Sequence, residues 1–186
     1  MFPGAGSSAD HPSLLAIEEA MSPVPVRRVD FPYRRAGRRA PDRAPVLLAC
    51  VRGEVRAFAE ELGVPTSRLV IGGRSMGGRM CSMAAADTDD PLQVAGLILV
   101  SYPLHPPGKP ENLRTGHFPR ITVPTLCISG TKDTFCTPAE LRKHFRRVRG
   151  DVTWSLVEKK GHDLKGCDEL VAETVRAWVK PPRRRG

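Results

Sequence analysis

Aromatic residues are scarce in this chain: six Phe, two Tyr and two Trp among 186 residues. So few rings cannot interleave with the 29 Lys and Arg to form a base-stacking platform for nucleic acid. Long apolar runs are missing too, and none approaches the ~20 residues of a membrane-spanning helix. Met1 to Asp10 has no basic start followed by an apolar stretch, so it does not read as a secretion signal. Cysteine pairing signals are absent as well. Cys50, Cys81, Cys127, Cys136 and Cys167 are odd in number and have no CxxC spacing. That argues against a disulfide framework or a zinc knuckle and fits a reducing cytoplasm. No Gly-Lys-Ser/Thr P-loop occurs. Gly4-Ala5-Gly6 lacks the third glycine and the preceding strand that a dinucleotide site needs.

What is present is an ordinary globular balance, 40% apolar and 26% charged. The length predicts one domain over residues 1–180, followed by a basic, frayed tail at 181–186. The net charge of +9 is carried mostly by arginine. With no nucleic-acid motif beside it, that charge reads as a solvated surface rather than a footprint for nucleic acid.

Strand and helix patterns alternate along the chain, with no internal repeat, which predicts a parallel sheet with helices on its faces. Helices are expected over about Pro12–Met21, over Ala44–Leu62 with Asp42 as cap, and over Met76–Ala86. Two more are expected from Thr137 or Pro138 to Val148 and over Asp168–Val179. Strands are expected at Val24–Phe31, Arg68–Gly73, Val94–Val100, Val123–Ser129 and Val152–Val157. Arg34–Arg43 reads as a basic loop. Ser101–Pro119 reads as a long Pro/Gly/His loop of the kind that often carries function.

The strongest chemical signal is Gly73-Arg74-Ser75-Met76-Gly77, which matches the G-x-S-x-G nucleophile elbow. A serine on a sharp strand-to-helix turn is strained, and glycines two before and two after leave room for it. The turn lifts the Ser75 hydroxyl above the sheet and puts the Met76 N–H at a helix N-terminus, where it can bind an oxyanion. A serine hydroxyl needs a base. His162 lies just past the last strand, where open α/β sheets build their sites. The base needs an orienting carboxylate, and Asp133 sits just past the Val123–Ser129 strand. The order Ser, Asp, His is that of the α/β-hydrolases. Asp163 and Asp151 are rival acids. The second oxyanion donor should come from an early glycine-rich loop, which singles out the Ala5 N–H.

His105 and Tyr102 are expected to shape a substrate pocket. His11 reads as flanking a helix start and His144 as a surface residue. Arg74 and Arg79 read as surface charges. Asp87, Asp89 and Asp90 read as a capped, solvated loop, and His105 and His117 are too irregularly placed for zinc, so no metal and no cofactor is expected.

Together these residues resemble a known family. The chain is similar to small α/β-hydrolases of the dienelactone hydrolase-like kind. It most resembles a compact bacterial group related to a subunit of the nonspecific lethal chromatin complex and to its testis-expressed mammalian homologue. The resemblance rests on Gly4-Ala5-Gly6 with Asp10-His11-Pro12, and on Gly72 to Arg79. It also rests on Tyr102 to Pro110, on Gly130-Thr131-Lys132-Asp133 and on Gly161-His162-Asp163. It implies a three-layer α/β/α sandwich and a triad at Ser75, Asp133 and His162, without fixing a substrate. Pro3 stands where the family has a histidine. The family's oxyanion loop also follows a central strand, and here only Met1 and Phe2 precede it. That strand would lie between those matching Val24–Phe31 and Arg68–Gly73. A gap there leaves strand edges unpaired. The expectation is that the native chain begins upstream or that this version is a poorly stable fragment.

Three functions compete at this point. The first is hydrolysis of a small ester, thioester or lactone, with no membrane partner. The second is a non-catalytic binding or scaffold protein. The third is nucleic-acid binding through Arg34–Arg43 and Arg183–Arg185.

Overall fold

In the computed structural model, which describes residues 1–179, four parallel strands form one sheet in the order β1-β2-β3-β4. They are β1 (Val70–Arg74), β2 (Gly96–Val100), β3 (Thr125–Gly130) and β4 (Val152–Val157). The tail at 181–186 lies outside the described residues. Six helices connect and flank the strands: α1 (Pro12–Met21), α2 (Pro32–Arg35), α3 (Ala44–Glu61), α4 (Met76–Ala85), α5 (Pro138–Phe145) and α6 (Asp168–Val179). Proline sits in the first two positions of α1, α2, α3 and α5, where its missing N–H goes unneeded.

Alternation along the strands generates the layers. On β2, Leu97 and Leu99 join the core that includes Leu47 and Val51 of α3, Met80 and Cys81 of α4, and Leu141 of α5. Ile98 and Val100 point the other way, into a core with Leu14 and Ile17 of α1 and Val171 and Val175 of α6. Every residue of β2 and β3 is therefore buried, as strands covered on both faces must be. The result is the expected three-layer α/β/α sandwich.

Local details depart from the sequence reading. Arg43, not Asp42, is the N-cap residue of α3, and it makes no side-chain cap bond. Asp42 instead forms an ion pair with Arg38 at 2.7 Å, a competing partner that the cap lost to. The basic loop at 34–43 begins inside the short α2. Thr137 caps α5 with a full capping box to Glu140.

The largest departure is at Val24–Phe31. Residues 25–30 form no regular strand. Met1 and Phe2 lie between this segment and β1, so the two flanks do not pair directly. The Met1 amine donates to the Arg27 carbonyl at 2.6 Å, and the Val29 N–H donates to Met1 O at 3.0 Å. On the other side Phe2 N–H donates to Gly72 O at 2.9 Å, and Arg74 N–H donates to Phe2 O at 3.0 Å. Two residues support one bridge, Phe2 with Gly73, but no ladder. Beside them an apolar cavity of about 290 Å³ opens between Val26, Val55, Phe58, Leu69, Ile71 and Val175. The end of β1 that leads into the elbow is thus held on both edges, and its far end is held on one.

Candidate active site

Ser75 follows β1 directly and is the N-cap of α4, with φ 46° and ψ −113°. A non-glycine residue in that region costs about 1–3 kcal/mol and persists only where its surroundings fix it. Two bonds do so here: Ser75 N–H donates to Val100 O at 2.8 Å, and Arg79 N–H donates to Ser75 O at 3.0 Å. The glycines of the elbow serve a second purpose that the motif alone does not reveal. A Cβ on Gly73 would lie 2.0 Å from Phe2 O, and one on Gly77 would lie 2.2 Å from it. The room they leave is filled by the backbone of Phe2.

His162 sits in the loop after β4, and Asp133 in the loop after β3. The two loops are tied together: Lys132 N–H donates to Lys160 O at 2.8 Å, and Thr131 N–H to Val157 O at 3.0 Å. His162 Nε2 lies 2.9 Å from Ser75 Oγ. Its Nδ1 lies 2.8 Å from Asp133 Oδ2 and 3.0 Å from Oδ1. An ionised carboxylate only accepts, so Nδ1 carries the proton and Nε2 offers its lone pair to the serine hydroxyl. The Asp133 side chain is fully buried, whereas that of His162 is 22% exposed. The structure therefore brings Ser75, His162 and Asp133 into one hydrogen-bonded chain at the C-terminal ends of three parallel strands.

The rival acids are elsewhere. Asp163 Oδ1 accepts from Lys165 N–H within its own loop. Asp151 precedes β4 and stands at the opposite end of the sheet. Phe135, which the sequence did not single out, supports the pair from two directions. Its N–H donates to Asp133 Oδ1 at 2.8 Å, and its ring lies over the His162 ring at 4.0 Å between centroids. The only sequence signal for it is an aromatic two residues past the acid.

Met76 opens α4, so its N–H is one of those a helix leaves without an internal partner. The Gly4–Gly6 turn lies against the elbow: a Cβ on Gly4 would sit 3.5 Å from Ser75 Cβ. Ala5 in that turn is exposed, and it donates none of the described backbone bonds.

The two pocket residues are placed differently from expectation. Tyr102 does not line a pocket. It is completely buried, packs edge-on against Phe118 and Phe145, and donates from its hydroxyl to Arg114 O at 2.9 Å. Burial drives its ionisation far above the usual tyrosine range. Its ring belongs to a buried cluster with Phe118 and Phe145, whose own rings lie 4.6 Å apart, so packing rather than a ligand surrounds it. His105 is also buried, with Nδ1 donating to Pro106 O at 2.8 Å, and its N–H donates to Phe135 O at 3.4 Å. It stands behind Phe135, not at a pocket mouth. Arg74 is likewise no surface charge, being only 5% exposed. His11 caps α1, its Nδ1 accepting from Ser13 N–H at 3.2 Å. Asp87 closes its acidic loop by accepting from Asp89 and Asp90 N–H.

The fold recurs in solved structures. An α/β serine hydrolase homologue from Coxiella burnetii is 14% identical, with TM-score 0.74 over 96% of this chain and 83% of that one. Dienelactone hydrolase from Anabaena variabilis is 18% identical, with TM-score 0.72 over 95% and 82%. Est1E from Butyrivibrio proteoclasticus, with ferulic acid bound, is 16% identical, with TM-score 0.71 over 95% and 85%. A family model for the alpha/beta hydrolase domain matches residues 2–177. With nearly its whole described length inside that match, the chain belongs to the α/β-hydrolase family.

Proposed function

We propose that this chain is a serine hydrolase acting on a small carboxylic ester, thioester or lactone. The observation that carries the reading is the unbroken chain from Ser75 Oγ through His162 to Asp133, with contacts of 2.9 and 2.8 Å. Ser75 Oγ attacks the substrate carbonyl carbon as His162 Nε2 takes its proton. The carbonyl oxygen becomes an oxyanion held by the Met76 and Ala5 N–H groups. His162 returns the proton to the leaving oxygen or sulfur, and the acyl group stays on Ser75. Water, deprotonated by the same Nε2, then attacks the acyl carbon, and the bond to Ser75 Oγ breaks as His162 returns the proton to that oxygen, which releases the acid and restores the free serine. Asp133 keeps the imidazole in the right tautomer and stabilises its cation throughout.

Support from neighbours is of the same kind, since one is a dienelactone hydrolase by name and another holds ferulic acid. The test is hydrolysis of p-nitrophenyl acetate and butyrate by the parent and by Ser75→Ala, with circular dichroism on both. The parent should turn over, and the variant should lose on the order of 10⁴-fold or more in kcat. A folded but inert parent would replace this reading with a binding or scaffold role.

A further inference from the structure

We propose that Arg74 is a positioning residue: it fixes the loop that carries His162, so that the imidazole stays in line with Ser75. The inference rests on the triad reading above.

Arg74 is the last residue of β1 and immediately precedes Ser75. Its backbone is held by Phe2 O, and its side chain is 5% exposed. A buried guanidinium is costly unless paired. Among the described residues no carboxylate forms a salt bridge with it, and its Nη1 has no hydrogen-bond partner. Burial lowers its pKa, and the carboxylates of Asp168, Asp163 and Asp133 offset this only from a distance. What the side chain does reach is backbone. Nη2 donates to His162 O at 3.3 Å and to Asp163 O at 3.0 Å.

Among the described bonds, those two are what joins β1 to residues 161–165. Across residues 161–165 the other described bonds to backbone stay local: Leu164 N–H to Gly161 O, Lys165 N–H to Asp163 Oδ1, Lys160 Nζ to Lys165 O, and Cys167 N–H and Sγ to Leu164 O and Lys165 O. On its N-terminal side the loop is also tied to the Asp133 loop, through Lys132 N–H to Lys160 O and Lys159 N–H to Thr131 Oγ1, and further on it is anchored by the buried Leu164 side chain and by the His162 ring itself. The segment is also under backbone strain, with Lys159 at φ 60° and Leu164 at φ 49° on either side of the base. Strained residues stay put only where their surroundings over-determine them. One residue therefore ties the strand of the nucleophile to the loop of the base. A planar fork with several donors suits two adjacent carbonyls better than a single ammonium does.

The test compares the parent with Arg74→Met, Arg74→Gln and Arg74→Lys. It reads steady-state p-nitrophenyl ester kinetics, scaled to the folded fraction, and the low-field proton resonance of His162 Nδ1–H. Arg74→Met and Arg74→Gln should lower kcat on the order of 10²-fold with KM changed less than about twofold. The resonance should be broadened or lost. Arg74→Lys keeps the charge and can reach one carbonyl, so it should recover to within about tenfold of the parent. If Arg74→Met fails to fold, Arg74→Gln and Arg74→Lys carry the comparison. Parent-like kcat in a folded Met or Gln variant overturns the inference, and so does an unchanged resonance. If the parent itself is inert, the hydrolase reading fails, while the resonance, which needs no turnover, still decides the role of Arg74.

Discussion

Two Ser–His hydrogen bonds lie seven residues apart at helix α4. Ser75 Oγ and His162 Nε2 are 2.9 Å apart, and Ser82 Oγ and His117 Nε2 are 2.8 Å apart. By distance the pairs are equivalent, but their surroundings are not. Ser75 is a helix N-cap in a strained conformation, with unpaired N–H groups beside it. Ser82 lies inside the helix and donates its hydroxyl to Arg79 O at 2.9 Å. His162 has a buried carboxylate on its far nitrogen and part of its ring in solvent. His117 is 8% exposed and packs edge-on against Phe118. Burial, with the charges of Arg79 and Arg120, pushes its pKa down to about 4. A Ser–His contact alone is therefore no site. An acid behind the base, a helix N-terminus beside the serine and an opening to solvent separate the proposed centre from a packed core pair.

That contrast can be broken in several places, and the acid should matter most. Asp133→Asn leaves the shape nearly intact but favours the wrong imidazole tautomer, so kcat for p-nitrophenyl esters should fall about 10⁴-fold. Among the described residues His117 has no such acid to lose.

The next effect is in stability against pH. The folded pKa of His117 lies at about 4, below the usual histidine value of 6.5, so the unfolded chain takes up the proton first. The stabilisation from keeping this histidine neutral is whole above pH 6.5 and is lost as pH falls towards 4. Between pH 7 and pH 5 urea unfolding should lose about 2 kcal/mol from this group. His117→Gln should flatten that part of the profile. A smaller change is expected in Ser82→Ala. It removes a partner of the buried His117 and should cost about 1–2 kcal/mol while leaving kcat within about twofold.

Much of this arrangement was legible in the sequence. The limits of α1, β4 and α6 coincide with the expected ones, because Pro12 and the apolar-to-polar switches after Val157 and before Asp168 are local signals. The chain order Ser75, Asp133, His162 follows from what must stand past successive parallel strands, and the structure brings those three together. What escaped depends on long-range contacts. Tyr102 lies in a Pro/Gly loop, and only the distant Phe118 and Phe145 reveal it as core. Phe135 over His162 and the guanidinium of Arg74 under the His162 loop depend on loop shape, which no spacing encodes. The Val24–Phe31 segment has strand-like alternation, yet a ladder needs a neighbour along its length, and Met1 reaches only Arg27 and Val29.

Reaction with a fluorophosphonate, followed by peptide mapping, tests the central claim most directly, because Ser82 serves as an internal control in the same molecule. The account predicts a single adduct on Ser75, none on Ser82, and no adduct in Ser75→Ala. A folded parent that stays unlabelled at Ser75, or that carries the adduct on another serine, would contradict it.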